Sequence, residues 1–152
     1  MRYFTLLLLA TALLAASCTT YSEEEKQSFN TTAESYAKKH HWNYEVLDGG
    51  LVVEVLEKGS GTEKIQAGSF VTLSYKGKLT NGNIFDQTEP GKPFEANLKG
   101  LIGGFQLGLL NHVAGTKIRM VVPPQLGYGD DSLDKIPANS TLVFEISIEK
   151  VI

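Results

Sequence analysis

The sequence predicts an α+β fold: an antiparallel sheet of five to six short strands curled around one short helix, preceded by a short N-terminal helix. Three observations carry that prediction. Several stretches alternate apolar and polar residues with the period of two of a half-buried strand. The clearest has Val71, Leu73 and Tyr75 on one face and Thr72, Ser74 and Lys76 on the other. Turn residues separate these stretches, among them Asp48-Gly49-Gly50, Asn81-Gly82 and Pro123-Pro124. Between the strands, residues 104–112 have helical spacing, with Phe105 and Leu109 on the side to be buried.

The chain of 152 residues fits a single domain with additional sequence at its ends. Its formal charge of −3 is spread in mixed signs, which leaves no basic surface for nucleic acid. It opens with Met1-Arg2-Tyr3 and an apolar run over residues 4–16 that ends in small residues. Residues 1–17 therefore read as a secretory signal, too short for a membrane span. Cys18 is the only cysteine, and Ala15-Ala16-Ser17-Cys18 resembles a bacterial lipobox, in which the cysteine is lipidated and becomes the mature N-terminus. Alanine stands where leucine is most frequent, three positions before Cys18. The other reading is simple secretion with a free thiol. Several acyl chains on one residue anchor stably, where a single chain binds only marginally. The lipid reading places the mature protein in the cell envelope, at the outer membrane or periplasmic face.

Residues 18–45 differ in composition from residues 46–152. They are polar, carry the acidic run Glu23-Glu24-Glu25 and lack both glycine and proline. Phe29, Ala33, Tyr36 and Ala37 recur at helical spacing, which predicts an amphipathic helix over residues 22–39, with Lys38 and Lys39 at the negative end of its dipole. The acidic run is either a solvated helix start or an envelope sorting signal. His40 and His41 point apart on a helix and have no third ligand nearby, so no metal site is read there. The segment is expected to act as a tether that shares little apolar surface with the domain. Pairing of two chains through this helix, as a homodimer, is the alternative its pattern leaves open.

The domain proper runs over residues 46–152. Val46-Leu47 and residues 51–56 are strand material. The strand over residues 71–76 turns back through Asn81-Gly82, expected to supply two positive-φ residues to a tight hairpin. The return passes through Ile84-Phe85-Asp86, where a lone carboxylate sits beside two large apolar residues. Asp86 is either a turn residue or a group held at the lip of an apolar site. Residues 117–122 and 141–148 are further alternating strands, and Gln125-Leu126-Gly127-Tyr128-Gly129 is a glycine-flanked loop presenting one tyrosine.

No nucleophile, base and orienting group recur together in this pattern. What recurs is apolar and aromatic side chains beside loops: Tyr75, Phe85, Phe94, Ile102, Phe105, Tyr128, Ile136 and Phe144. Each of these, taken alone, reads as core before it reads as site.

Taken together, V-T-L-S-Y-K-G-K-L-x-N-G-x-x-F-D, K-P-F, L-I-G-G-F, A-G-T-K, V-P-P-Q-L-G-Y-G and I-P-A-N-S-T-L-V-F closely resemble the FKBP-type peptidyl-prolyl cis-trans isomerases over residues 46–152. The resemblance implies a sheet wrapped around one short helix with a proline pocket between them. It implies that Tyr75, Phe85, Phe94, Leu101, Ile102, Phe105, Ile136 and Phe144 bind substrate, with Phe105 as a floor where many members have tryptophan. It implies catalytic roles for Asp86, the pocket carboxylate, and Tyr128, whose hydroxyl faces the bound carbonyl. The backbone N–H of Ile102 is implied as a donor. The loop over residues 87–92 lacks the arginine that pairs with the aspartate in many members, so Asp86 is expected to have another partner. The implied function is isomerisation of X-Pro bonds in exported, proline-containing clients, with no metal or cofactor. The alternative from another class is a module that grips proline segments without turnover.

Overall fold

The computed structural model describes residues 20–152; the leader and Cys18 lie outside the described residues. The first element is α1, Glu23–Lys39. Ser22 caps it reciprocally, its hydroxyl accepting from the Glu25 N–H while the Glu25 carboxylate accepts from the Ser22 N–H. Seven strands come after it: β1 Glu45–Leu47, β2 Leu51–Glu57, β3 Phe70–Leu79, β4 Ile84–Gln87, β5 Phe94–Asn97, β6 Lys117–Val122 and β7 Leu142–Val151, with helix α2, Gly103–Gly108, between β5 and β6. All pair antiparallel in the order β1-β2-β6-β7-β3-β4, and β5 also pairs with β3. β5 is the strand beyond those that alternation marks. At four residues behind a proline, it is too short to show a period.

The inward positions of β3 and β7 alternate as the sequence predicts. Val71 and Leu73, and Leu142, Phe144, Ile146 and Ile148, enter one buried core with Leu98, Phe105, Leu109, Ile118 and Met120. This core fills the concave side of the sheet under α2. The turn after β3 differs from the expected pair of positive-φ residues. Gly82 alone of the two takes positive φ, at 94°. The Gly82 N–H donates to Leu79 O at 2.9 Å, and the Leu79 N–H donates to Asn83 O at 2.9 Å. This is a three-residue loop, an ordinary turn at Thr80-Asn81 closed by a left-handed glycine.

The tether expectation is overturned. α1 lies against the opposite, convex side of the sheet, where Ala33 and Ala37 form a second buried cluster with Val52, Val121 and Val143. Tyr36, Trp42 and Tyr44 pack around that cluster. Arg119 stacks over the Trp42 ring at 4.3 Å while pairing with Glu54 on the neighbouring strand. Small alanines allow the helix backbone to approach closely. The contact therefore needs none of the large apolar residues whose scarcity suggested a free helix. The apolar face that left a homodimer open as an alternative is covered by the chain's own sheet.

Candidate active site

β3 is flanked on one edge by two short strands, β5 beside its first half and β4 beside its second. Between them, on this edge, the Tyr75 backbone has no strand partner, while on the other it pairs with Ile146 of β7. Thr88 replaces one, its N–H donating to Tyr75 O and its hydroxyl accepting from the Tyr75 N–H, both at 3.0 Å. The edge thus opens where the Tyr75 side chain stands on the concave face. Two positions further, Gly77 leaves room for rings: a Cβ there would lie 2.6 Å from Phe85 and 2.8 Å from Phe144.

At this opening lies a cavity of about 190 Å³, lined by Tyr75, Phe85, Asp86, Phe94, Gly100, Leu101, Ile102, Phe105, Tyr128 and Phe144. Its aromatic rings meet edge to face. Phe144 lies 4.8 Å from Phe105 and 5.6 Å from Phe85, and Tyr75 lies 5.8 Å from Phe94 and 6.2 Å from Phe105, all with interplanar angles of 84–89°. Such pairs contribute about 0.5–1.5 kcal/mol each beyond the area they bury, and they hold the walls rigid. Phe105, in the first turn of α2, and Phe144 on β7 are buried and form the deep end. Phe94 and Tyr128, at 38 % and 37 % exposure, form the rim.

Polar groups are confined to that rim. Asp86 lies within β4, opposite Gly77, and so is not a turn residue. The Tyr75 hydroxyl donates to Asp86 Oδ2 at 2.5 Å. Burial, then the hydrogen bond to Asp86 and its negative charge, push the Tyr75 phenol well above its ordinary value. Burial and the same charge push the Tyr128 phenol up, so both hydroxyls stay protonated donors at neutral pH. Gln106, on α2, donates to Leu101 O at 2.7 Å and fixes the approach to the helix. The Ile102 N–H, at the cap of α2, donates to no acceptor among the described residues.

A wider depression of about 540 Å³ lies between β1 and the end of α2, but Glu45, Asp48, Asn111 and His112 interrupt its lining. It lacks the dry aromatic enclosure of the first cavity.

Residues 61–149 match the family model described as FKBP-type peptidyl-prolyl cis-trans isomerase. The chain belongs to that family. Among FKBP-type relatives, it is 42% identical over 113 residues to FK506-binding protein 3 of Candida albicans, covering 73% of this chain and 26% of that protein. The chain thus spans about a quarter of the length of such relatives. Two solved structures share the fold. The crystal structure of FkpA from Escherichia coli has a TM-score of 0.72 at 35% identity, covering 85% of this chain and 62% of that one. A peptidyl-prolyl cis-trans isomerase from Pseudomonas syringae pv. tomato has a TM-score of 0.70 at 29% identity, covering 84% and 91%.

Nine of the ten pocket positions named from the FKBP resemblance line the one cavity. Ile136 is the exception in position. It is buried in the main core and absent from the cavity lining. Leu133 and Ile136 exchange backbone hydrogen bonds in a tight bridge, and Ile136 is left buried while Leu133 is exposed. Gly100, which lines the cavity with its backbone, carried no side-chain signal in the sequence. The partner of Asp86 was equally hidden, because Tyr75 reads there as one more apolar wall.

Proposed function

We propose that this protein is a peptidyl-prolyl cis-trans isomerase that assists the folding of exported proteins. The observation that carries the reading is a cavity walled by five edge-to-face aromatic rings, with its polar groups at the rim. Rotation about a peptide bond must break amide resonance, against a barrier of ~18–20 kcal/mol. For X-Pro bonds the uncatalysed exchange takes tens to hundreds of seconds. A twisted amide has a less polar carbonyl than a planar one. Enclosing the bond among Phe85, Phe105 and Phe144 therefore favours the twisted form over the ground state. The Tyr128 hydroxyl and the Ile102 N–H are the donors placed to hold the flanking carbonyls. Each ~1.4 kcal/mol of such preference is a tenfold rate. The scheme needs no proton transfer and no covalent intermediate.

Proline-containing polypeptides are the clients, and lipid on Cys18 holds the protein at the membrane of the cell envelope. The support for that anchor is the apolar leader followed by the chain's single cysteine. A protease-coupled isomer assay on an X-Pro peptide tests the activity: first-order acceleration proportional to enzyme is expected. Retained affinity for proline peptides without acceleration would instead make the protein a binding module. Fatty-acid labelling of wild type against Cys18→Ala tests the anchor. Label is expected in wild type alone, and equal label in both would remove the lipid.

A further inference from the structure

We infer that Tyr21, in the segment ahead of α1, is a positioning residue for Tyr128. It fixes the loop that holds the Tyr128 hydroxyl at the proline pocket. The inference rests on the isomerase reading and extends it to a residue outside the family match, which spans residues 61–149.

Tyr21 is 7 % exposed, although it stands in a polar stretch. Its ring meets Phe29 edge to face at 5.1 Å, and its hydroxyl donates to Asn139 Oδ1 at 2.6 Å, a bond spanning 118 positions of sequence. Asn139 sits at φ 59°, in the left-handed region that asparagine adopts more readily than other non-glycine residues. The Asn139 N–H donates to Gly129 O at 2.8 Å, and the Gly129 N–H donates to Pro124 O at 3.0 Å. Gly129 directly follows Tyr128. An unbroken chain of hydrogen bonds thus runs from Tyr21 to the backbone on both sides of Tyr128.

Tyr128 needs that support. Its ring lines the proline pocket and also a second cavity of about 390 Å³, whose other wall includes Thr20, Tyr21 and Lys26. A ring with open space on two sides and 37 % exposure is not locked by side-chain packing. The position of its hydroxyl then follows the backbone of its loop. Displacing a catalytic group by about 1 Å can cost up to about a hundredfold in rate.

The test is a double-mutant cycle in the full chain with Tyr21→Phe and Tyr128→Phe, reading kcat, KM and melting temperature. With the Tyr128 hydroxyl present, Tyr21→Phe is expected to lower kcat/KM about three- to tenfold, mostly in kcat. In the Tyr128→Phe background it is expected to change nothing. Asn139→Gly, which keeps the left-handed backbone and removes the acceptor, is expected to lose the same factor, and Asn139→Asp to restore it. The same fold-loss from Tyr21→Phe in both backgrounds, or no loss in either, overturns the inference. A wild type without isomerase activity would defeat the isomerase reading instead. Amide exchange at Gly129 and Asn139 then decides the positioning claim: exchange faster by about tenfold in Tyr21→Phe upholds it, and unchanged exchange overturns it.

Discussion

Tyr75 and Asp86 share one short hydrogen bond across the β3–β4 pair, the phenol donating to the carboxylate at 2.5 Å. The carboxylate at the pocket rim is therefore held by a neutral donor that is itself a pocket wall. Among the described residues no cation pairs with it, and its negative charge acts on both rim phenols.

If Asp86 works by orientation and charge, Asp86→Asn lowers kcat/KM about tenfold or less. A neutral hydrogen bond contributes ~0.5–1.5 kcal/mol net. Tyr75→Phe removes the other end of the same bond, so the two losses are expected to be less than additive. A loss of a thousandfold, with a pH profile following a single ionisation, would argue for acid–base chemistry instead.

The raised phenols give the alkaline pH dependence its sign. Tyr75 and Tyr128 have folded-state values above the 10.0 of an unperturbed phenol. Their contribution to stability is complete below about pH 10 and declines as pH rises through the folded-state values. Denaturant midpoints are expected to stay level from about pH 7 to 9 and to fall above about 10. Tyr75→Phe makes that fall shallower.

Phe144 closes the pocket and belongs to the main core at 3 % exposure. Phe144→Ala is expected to cost ~3–5 kcal/mol of stability and to lower binding and turnover together. Urea titration alongside the isomer assay separates the two effects. Unchanged stability would show that the ring is not packed as described.

On the convex side, the prediction comes from Ala37, which is fully buried against the sheet. Ala37→Asp places an unpaired charge there and is expected to lower the melting temperature by about 5 °C or more. Ala33→Asp behaves alike. Glu24→Ala, at an exposed position of the same helix, changes it little.

Much of the fold was legible in the chain because β-strands with one buried face alternate, and because the site is built from rings at strand ends and turns. The docking of α1 was legible too, but in the sheet and not in the helix. Leu51-Val52-Val53, Met120-Val121-Val122 and Leu142-Val143-Phe144 are each three apolar residues in a row. Alternation breaks at those three places because both faces are buried there, one by the core and one by the alanines of α1. By contrast, the bond between Tyr75 and Asp86, 11 positions apart, depends on register and side-chain direction. Neither periodicity nor composition encodes those. The burial of Ile136 in the core is hidden for a similar reason, since the bridge between Leu133 and Ile136 decides which of the two turns inward.

Val143 and Phe144 are adjacent in the chain and point to opposite sides of β7, one toward α1 and the other into the pocket. Both therefore arrive in a single event, the insertion of β7 between β6 and β3. During synthesis α1 emerges before every strand and β7 after the other six, so the helix has an incomplete seat until β7 has been made. The pairing of β3 with β7 also joins residues about seventy positions apart, a long loop to close before any contact rewards it. A chain truncated before β7 would lack both the back of the sheet and the wall of the cavity. A half-made molecule would thus present its own valine-rich strands as sticky surface.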